Sequence, residues 1–290
     1  GGWGLFLKTE DLAKIALCYL NKGIFEGKQV IPADWIEIAT KNHVAEIGVE
    51  NGAPEDGYGY FIWGCGCSEQ TYRFDGMFSQ FAYIFGTKDA VVVMTDNEIN
   101  EAKARECLEA HVEELFFDSE APQAVEIPKW EDLPEIEAAE RQPEREKKIE
   151  GKTIKLTPNY ILSAIGLPLS ILTFPAIYMN AVKPGPIDNI KFNFYEDECT
   201  MYWTEGNDSN IIHIGLDGKA RRSKISLAKL KYTASSSGAW IDDRTLEIWI
   251  RPLESIGQRR LRFYFKGSNV TVTPSCMPEL HYLAQELAPS

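Results

Sequence analysis

Several signatures are missing from this sequence, and each absence closes a class of function. No Cys-x-x-Cys pair occurs among its six cysteines, Cys18, Cys65, Cys67, Cys107, Cys199 and Cys276. The one close pair, Cys65-Gly66-Cys67, has no second cluster to complete a four-ligand zinc site, so no metal is expected. No glycine-rich phosphate loop and no His-Glu-x-x-His helix is present, and no cofactor is expected. Basic residues are in deficit: 30 Lys and Arg stand against 43 Asp and Glu, a net charge of −13. A chain of that sign repels phosphate backbones, so nucleic-acid binding is not its expected role.

Gly1-Gly2-Trp3-Gly4 has neither the charged nor the apolar part of a signal peptide. It also lacks an initiator Met, which points to a natural N-terminus further upstream. The compartment stays open between cytoplasmic and exported. One uncharged run, Ile161 to Val182, is long enough to span a bilayer. Pro168 and Pro175 interrupt it, together with Gly166 and Asn180. No membrane span is expected. The run reads instead as a buried strand-loop-strand or an apolar flap over a neighbouring surface.

What is present is a globular mixture: 44% apolar and 25% charged residues in a chain of 290, enough for two domains with real cores. The divide falls at 119–150, where acids, bases and four prolines (Pro122, Pro128, Pro134, Pro143) accumulate without apolar period. This reads as a linker between a domain at 1–118 and another at 151–290.

The first segment mixes helices and strands. Thr9 is placed to cap a helix with Leu12, Ile15, Ala16, Tyr19 and Leu20 on one face, and Gly23 to end it. Pro32 suits the start of a second helix, with Trp35, Ile38 and Ala39 inward. Strands are expected at 58–63, 71–74, 79–85 and 90–95, and a last helix over 98–117 with Leu108, Val112, Leu115 and Phe116 inward. The second segment predicts strands at 190–195, 200–204, 211–216, 226–233, 245–250, 259–265 and 270–273. Turn signals such as Asp217-Gly218 and Lys266-Gly267 separate them. So many short strands indicate an antiparallel barrel or sandwich. The fold class is therefore α+β: an antiparallel sheet with flanking helices, then a mainly antiparallel barrel-like domain.

Two stretches carry a family likeness. Gly4-Leu5-Phe6-Leu7-Lys8-Thr9-Glu10-Asp11-Leu12-Ala13-Lys14, then Leu17 to Gly23, Gly27 to Pro32 with Trp35, Tyr58-Gly59-Tyr60 and Tyr72 to Gln80 together resemble the second half of a beta-lactamase-related serine hydrolase domain. That family includes class C beta-lactamases, penicillin-binding proteins and related esterases. Gly151 to Asn159 and Ser237 to Leu246 more loosely resemble the small β-domain that follows some members.

The resemblance implies a serine nucleophile in Ser-x-x-Lys, a second proton-handling loop of the form Tyr-x-Asn or Ser-x-Asn, and a strand carrying Lys-Thr-Gly or His-x-Gly. In the family's chain order the first two precede Gly4, so they are expected upstream of residue 1. Phe74-Asp75-Gly76 aligns with the third and would border the substrate. Gly76 permits close backbone approach, and the Met77 N–H would donate to the oxyanion. Phe74 stands where the family has Lys or His, which makes an ester or amide a better substrate than a beta-lactam carboxylate. The same triplet also reads as a simple turn or bulge between strands.

Other matches are weak. Ser226-Leu227-Ala228-Lys229 fits Ser-x-x-Lys by letter, but one chance match is expected at this composition, and it falls in a predicted strand. Tyr19-Leu20-Asn21 fits Tyr-x-Asn, but Tyr19 reads as a core contact. His43, His111, His213 and His281 show no spacing to Ser and Asp that suggests a triad. Arg221-Arg222 and Arg259-Arg260 with Arg262 read as solvated strand faces. The implied activity is acyl transfer from a small ester, amide or beta-lactam-like substrate to water. This chain by itself is expected to be inactive and prone to self-association. The competing expectation is a non-enzymatic ligand- or partner-binding protein.

Overall fold

The computed structural model describes residues 5–44, 57–67, 70–98, 100–111, 116, 136–157, 169–173, 176–177, 182–267 and 269–277. The chain divides into two compact units, Gly1–Gln123 and Ala124–Ser290. Its class is α+β, with antiparallel sheets and a nearly closed, barrel-like sheet.

In the first unit, α1 (Thr9–Leu20) has Glu10 and Asp11 in its first turn, where acids suit the positive helix end. Lys8 holds the cap position and Thr9 stands one residue inside, its hydroxyl 2.7 Å from that of Thr95. Gly23 at φ 87° turns the chain out of the helix, and its N–H donates to the Cys18 carbonyl. A short hairpin, β1 (Ile24–Phe25) and β2 (Lys28–Gln29), leads to α2 (Ala33–Ala39). Ile36 and Ala39 are the buried residues of α2; Trp35 and Ile38, expected inward, are 46% and 43% exposed. Seven residues make two turns, so only one i, i+3 stripe reaches the core. Trp35 stacks on Tyr60 instead, with ring centres 5.8 Å apart.

A four-stranded antiparallel sheet follows: β3 (Trp63–Gly64), β4 (Thr71–Gly76), β5 (Gln80–Phe85) and β6 (Ala90–Met94), in spatial order β3-β4-β5-β6. Strand alternation sorts β5 between two cores. Ala82 and Ile84 pack with Ala16, Leu12 and Tyr19 of α1. Phe81, Tyr83 and Phe85 pack with Ala104 and Leu108 of α3 (Glu101–Ala110) and with Phe116. The Asn100 side chain caps α3 by accepting from the Lys103 N–H. The expected inward residues Val112 and Leu115 lie outside the described residues.

In the second unit, α4 (Pro143–Ile149) and β7 (Ile154–Lys155) precede eight longer strands: β8 (Ile187–Phe194), β9 (Glu198–Glu205), β10 (Asp208–Gly215), β11 (Arg221–Leu227), β12 (Leu230–Trp240), β13 (Thr245–Pro252), β14 (Gln258–Lys266) and β15 (Asn269–Met277). The sheet runs β15-β14-β13-β12-β10-β9-β8-β7, with β11 paired to β12. All pairings are antiparallel except one parallel contact, Gly215 opposite Ser237. Inward residues such as Phe192, Met201, Trp203, Ile214, Ile248 and Phe263 form one continuous core.

The structure departs from the sequence reading at three places here. The strand expected over 226–233 is two strands, because Ala228 (φ 50°) and Lys229 (φ 72°) form a two-residue reversal without the usual Gly or Asn. Within the apolar run, Ile171, Leu172 and Ala176 are buried in the barrel core, and the Ile187 N–H donates to the Leu169 carbonyl. Most of the run lies outside the described residues; no helix among the described residues is long and apolar enough to cross a membrane. Finally, the expected linker 119–150 contains α4, whose Glu146 is buried. Its carboxylate accepts from the Trp240 Nε1 (2.8 Å) and pairs in bidentate fashion with Arg141 (2.7 and 2.8 Å). Residues 119–135 of that stretch lie outside the described residues.

Glu146 therefore fastens α4 to the barrel. Replacing it with Ala leaves the Trp240 indole N–H and Arg141 without their acceptor. We expect a loss of about 2–3 kcal/mol, less than for a fully buried pair because Arg141 is partly solvated. Urea unfolding followed by tryptophan fluorescence measures this. An unchanged midpoint and slope in Glu146→Ala would show that α4 is not part of the cooperative unit.

Candidate functional site

The four residues singled out by the resemblance lie where β4 turns into β5. Phe74 pairs with Ala82, Asp75 with Phe81 and Gly76 with Gln80, so Gly76 closes the ladder. Met77 stands beyond the last pair, in a turn completed by Phe78 and Ser79, both at φ 63°. That unusual backbone is held from outside. The Phe78 N–H donates to Glu101 Oε1 (2.5 Å), the Ser79 hydroxyl to the Glu98 carbonyl (3.3 Å), and the Gln80 amide to the carbonyls of Phe78 and Asp96. The turn is thus fixed against the start of α3.

Phe74 is half-buried and meets Tyr19 edge-on at 4.9 Å. Tyr19 is thereby a core contact. Asp75 accepts from Arg73 Nε at 3.1 Å and lies 3.7 Å from Arg105 Nη1, with its side chain 11% exposed. Arg73 is 2% exposed, donates to the Gly64 carbonyl, and sits over the rings of Trp63 and Tyr83. Asp75 is therefore the counter-ion of a buried guanidinium, and the ion pair commits both its charge and its orientation.

On the same face of the sheet, a second group of residues converges. Cys65 and Cys67 are joined as a disulfide at the start of the β3–β4 connection. Glu109, from the last turn of α3, places Oε1 3.6 Å from Cys65 Sγ and accepts from the Tyr83 hydroxyl at 2.7 Å. Burial pushes the Tyr83 phenol well above its ordinary pKa, so it remains a donor at any neutral pH. The sequence reading set Cys65 and Cys67 aside for want of further ligands. Glu109, 44 residues from Cys65, carried no signal that could have found it.

The other sequence matches are not brought together. Ser226 is the penultimate residue of β11, its N–H and carbonyl bonded to the Asn210 amide, and Lys229 lies in the reversal. A nucleophile at a helix start is not what this backbone presents. His43 stacks on Tyr60, His111 bonds the Cys107 carbonyl and His213 pairs with Glu198; His281 lies outside the described residues. Arg221 pairs with Glu198 and Asp217, and Arg262 with Glu247. Arg259 corrects the expectation of a solvated face: its Nε is buried, and an Nη2–H donates to the Leu172 carbonyl at 2.5 Å.

Arg259 is drawn in toward Glu205, which is 2% exposed. The Glu205 carboxylate accepts from the Ser170 hydroxyl (2.5 Å), the Ile171 N–H (3.2 Å) and the Trp203 indole (3.2 Å). This pins residues 170–171 into the barrel. No protein-family model matches the chain, and no curated protein matches it.

Burial pushes the Glu205 carboxyl above its ordinary value of 4.5, and the three donors with Arg259 offset only part of that. A raised pKa in the folded state means the folded protein keeps the proton longer than the unfolded chain. Stability from this group is then fully present below about pH 4.5 and is lost as pH rises through the raised value. Urea unfolding across that window should show wild type losing stability relative to Glu205→Gln, which does not titrate. Parallel pH profiles for the two proteins would show that Glu205 titrates normally.

Proposed function

We propose that the first unit is the C-terminal half of the catalytic domain of a beta-lactamase-related serine hydrolase, whose reaction is acyl transfer to water through a serine ester. The observation that carries this reading is the end of β4: a strand closing on Asp75-Gly76, with Met77 just beyond the ladder, in a sheet covered by α1 on one face and α3 on the other. In such a site the Met77 N–H would donate to the oxyanion of the tetrahedral intermediate. Phe74 supplies no cation, so an uncharged ester or amide suits the site better than a beta-lactam carboxylate. The barrel-like second unit would be the accessory β-domain.

The nucleophile and its lysine would come from a segment that precedes Gly4 in the family's order and docks on this unit. Two features support a missing neighbour. Among the described residues β6 is a sheet edge, and its sequence Ala90-Val91-Val92-Val93-Met94 has none of the charges or prolines that usually protect an edge. Leu5, Phe6, Val30 and Phe61 are 61–78% exposed, apolar side chains that a docked segment would cover. A second reading, a non-enzymatic binding protein on a degenerate hydrolase half, is favoured by Asp75, which serves Arg73 and Arg105 rather than a substrate.

Fluorophosphonate labelling separates the two. The chain alone should take up no probe and should self-associate in sedimentation. Co-expressed with a segment carrying Ser-x-x-Lys and Tyr-x-Asn, it should restore labelling, with the adduct on the added segment, and Gly76→Val should suppress it. No labelling with any such segment favours the binding protein. Stoichiometric labelling of the chain alone, mapped to one of its own serines, would overturn the reading.

A further inference from the structure

We propose that Cys65, Cys67 and Glu109 form a binding site for a thiolate-seeking divalent cation of the zinc type, open when the Cys65–Cys67 pair is reduced. One ligand atom from each residue lies within 4.8 Å of the other two, with Cys65 buried and Cys67 and Glu109 half-buried. The spacing suits that chemistry. Zinc bonds of about 2.3 Å to sulfur and about 2.1 Å to oxygen, at a tetrahedral angle, put the two ligand atoms about 3.6 Å apart. Cys65 Sγ and Glu109 Oε1 are separated by 3.6 Å.

The surroundings do what a metal site needs. Tyr83 donates to Glu109 and fixes the carboxylate on the side of the sulfurs, as outer hydrogen bonds orient metal ligands generally. The Cys67 N–H points at Cys65 Sγ from 3.4 Å, which stabilises negative charge on that sulfur. Two thiolates and a carboxylate give a charge that favours a dication, while the nearby Arg73 is already neutralised by Asp75. Cys67 and Glu109 are half-buried, so the group is not sealed from solvent among the described residues.

The disulfide and the bound ion exclude each other. A dithiol or phosphine reductant, itself oxidised to a disulfide or a phosphine oxide, gives two electrons that with two protons convert the Cys65–Cys67 bond to two thiols. Both thiol protons pass to solvent as the cation binds, and the sulfurs separate to the tetrahedral edge. Binding is thus conditional on the redox state of the pair.

The full chain, reduced with a phosphine under inert gas, should bind one Zn²⁺ per molecule in a titration against a chromogenic chelator. Co²⁺ in its place should give the charge-transfer absorption of thiolate ligands. Cys67→Ser and Cys65→Ser should each weaken Zn²⁺ binding at least about tenfold and diminish that absorption. Glu109→Gln, which keeps the size and the contact to Tyr83, should weaken binding about tenfold and retain the absorption. Cys107→Ser, on an exposed free cysteine of α3, should bind as wild type, and the oxidised protein should not bind until reduced. Sub-stoichiometric binding by reduced wild type, unaltered affinity in Cys67→Ser or Glu109→Gln, or a Co²⁺ spectrum without thiolate character would each overturn the site. None of these outcomes depends on the hydrolase reading.

Discussion

A buried carboxylate is unfavourable unless donors surround it, and this acidic chain meets that demand repeatedly. The second unit does so three times, each time with an indole N–H as donor and a guanidinium close by. Glu146 accepts from Trp240 and Arg141, and Glu247 from Trp249 and Arg262 with Arg260 nearby. Glu205 accepts from Trp203 and faces Arg259. An indole N–H brings a donor on a large apolar body, and a guanidinium supplies the charge. Each trio fastens a different part: α4 to the barrel, residues 170–171 into its interior, and β13 to β14. In the first unit Asp75 pairs with Arg73 near Arg105, and the half-buried Glu109 accepts from Tyr83.

The placement of those two acids follows from β5. Every side chain from Phe81 to Phe85 is fully buried, which is possible only if both faces of the sheet are covered. Small residues on one face, Ala82 against Ala16, let α1 approach closely; large rings on the other hold α3 further off. Tyr83 is on the α3 side, so its hydroxyl meets Glu109 in the last turn of that helix. Asp75, opposite Phe81, falls on the same side and meets Arg105. Alternation along one strand thus decides which titratable groups can meet.

Much of this was legible in the sequence. Short strand-like runs bounded by turn residues located β4, β5, β6 and most of the barrel strands within a few residues, because both the apolar runs and their punctuation are written locally. The failures have physical reasons. Ser235-Ser236-Ser237-Gly238, outside the strands expected at 226–233 and 245–250, is the middle of β12. A Cβ at Gly238 would come within 3.0 Å of the Glu247 carbonyl and Ile214, so small residues are what this crowded stretch admits. Ala228-Lys229 gives no turn signal because the flanking ladder, not local preference, imposes the reversal. Glu146 was hidden in a run of charges whose average says linker, although one of its members is buried. The cysteine pair was visible, but its third member could not be, since only the packing of α3 on β5 brings Glu109 to it.

The same logic separates what a motif supplies from what a site requires. At the end of β4, Gly76 and the Met77 N–H belong to the backbone, and the turn beyond them is held by Glu101 and Gln80 rather than by positions 74 and 75. Asp75 and Phe74 do not share that independence. The first is needed by Arg73, which cannot stay buried without a counter-ion, and the second by Tyr19 across the α1 core. Backbone donation to an oxyanion can therefore coexist with this fold, whereas side-chain recognition by positions 74 and 75 would be obtained only by unpacking the sheet. Substrate selection, if the unit is part of an enzyme, must come from residues outside β4. Among the described residues β6 is the edge of the sheet, so a further strand pairing there would disturb neither core.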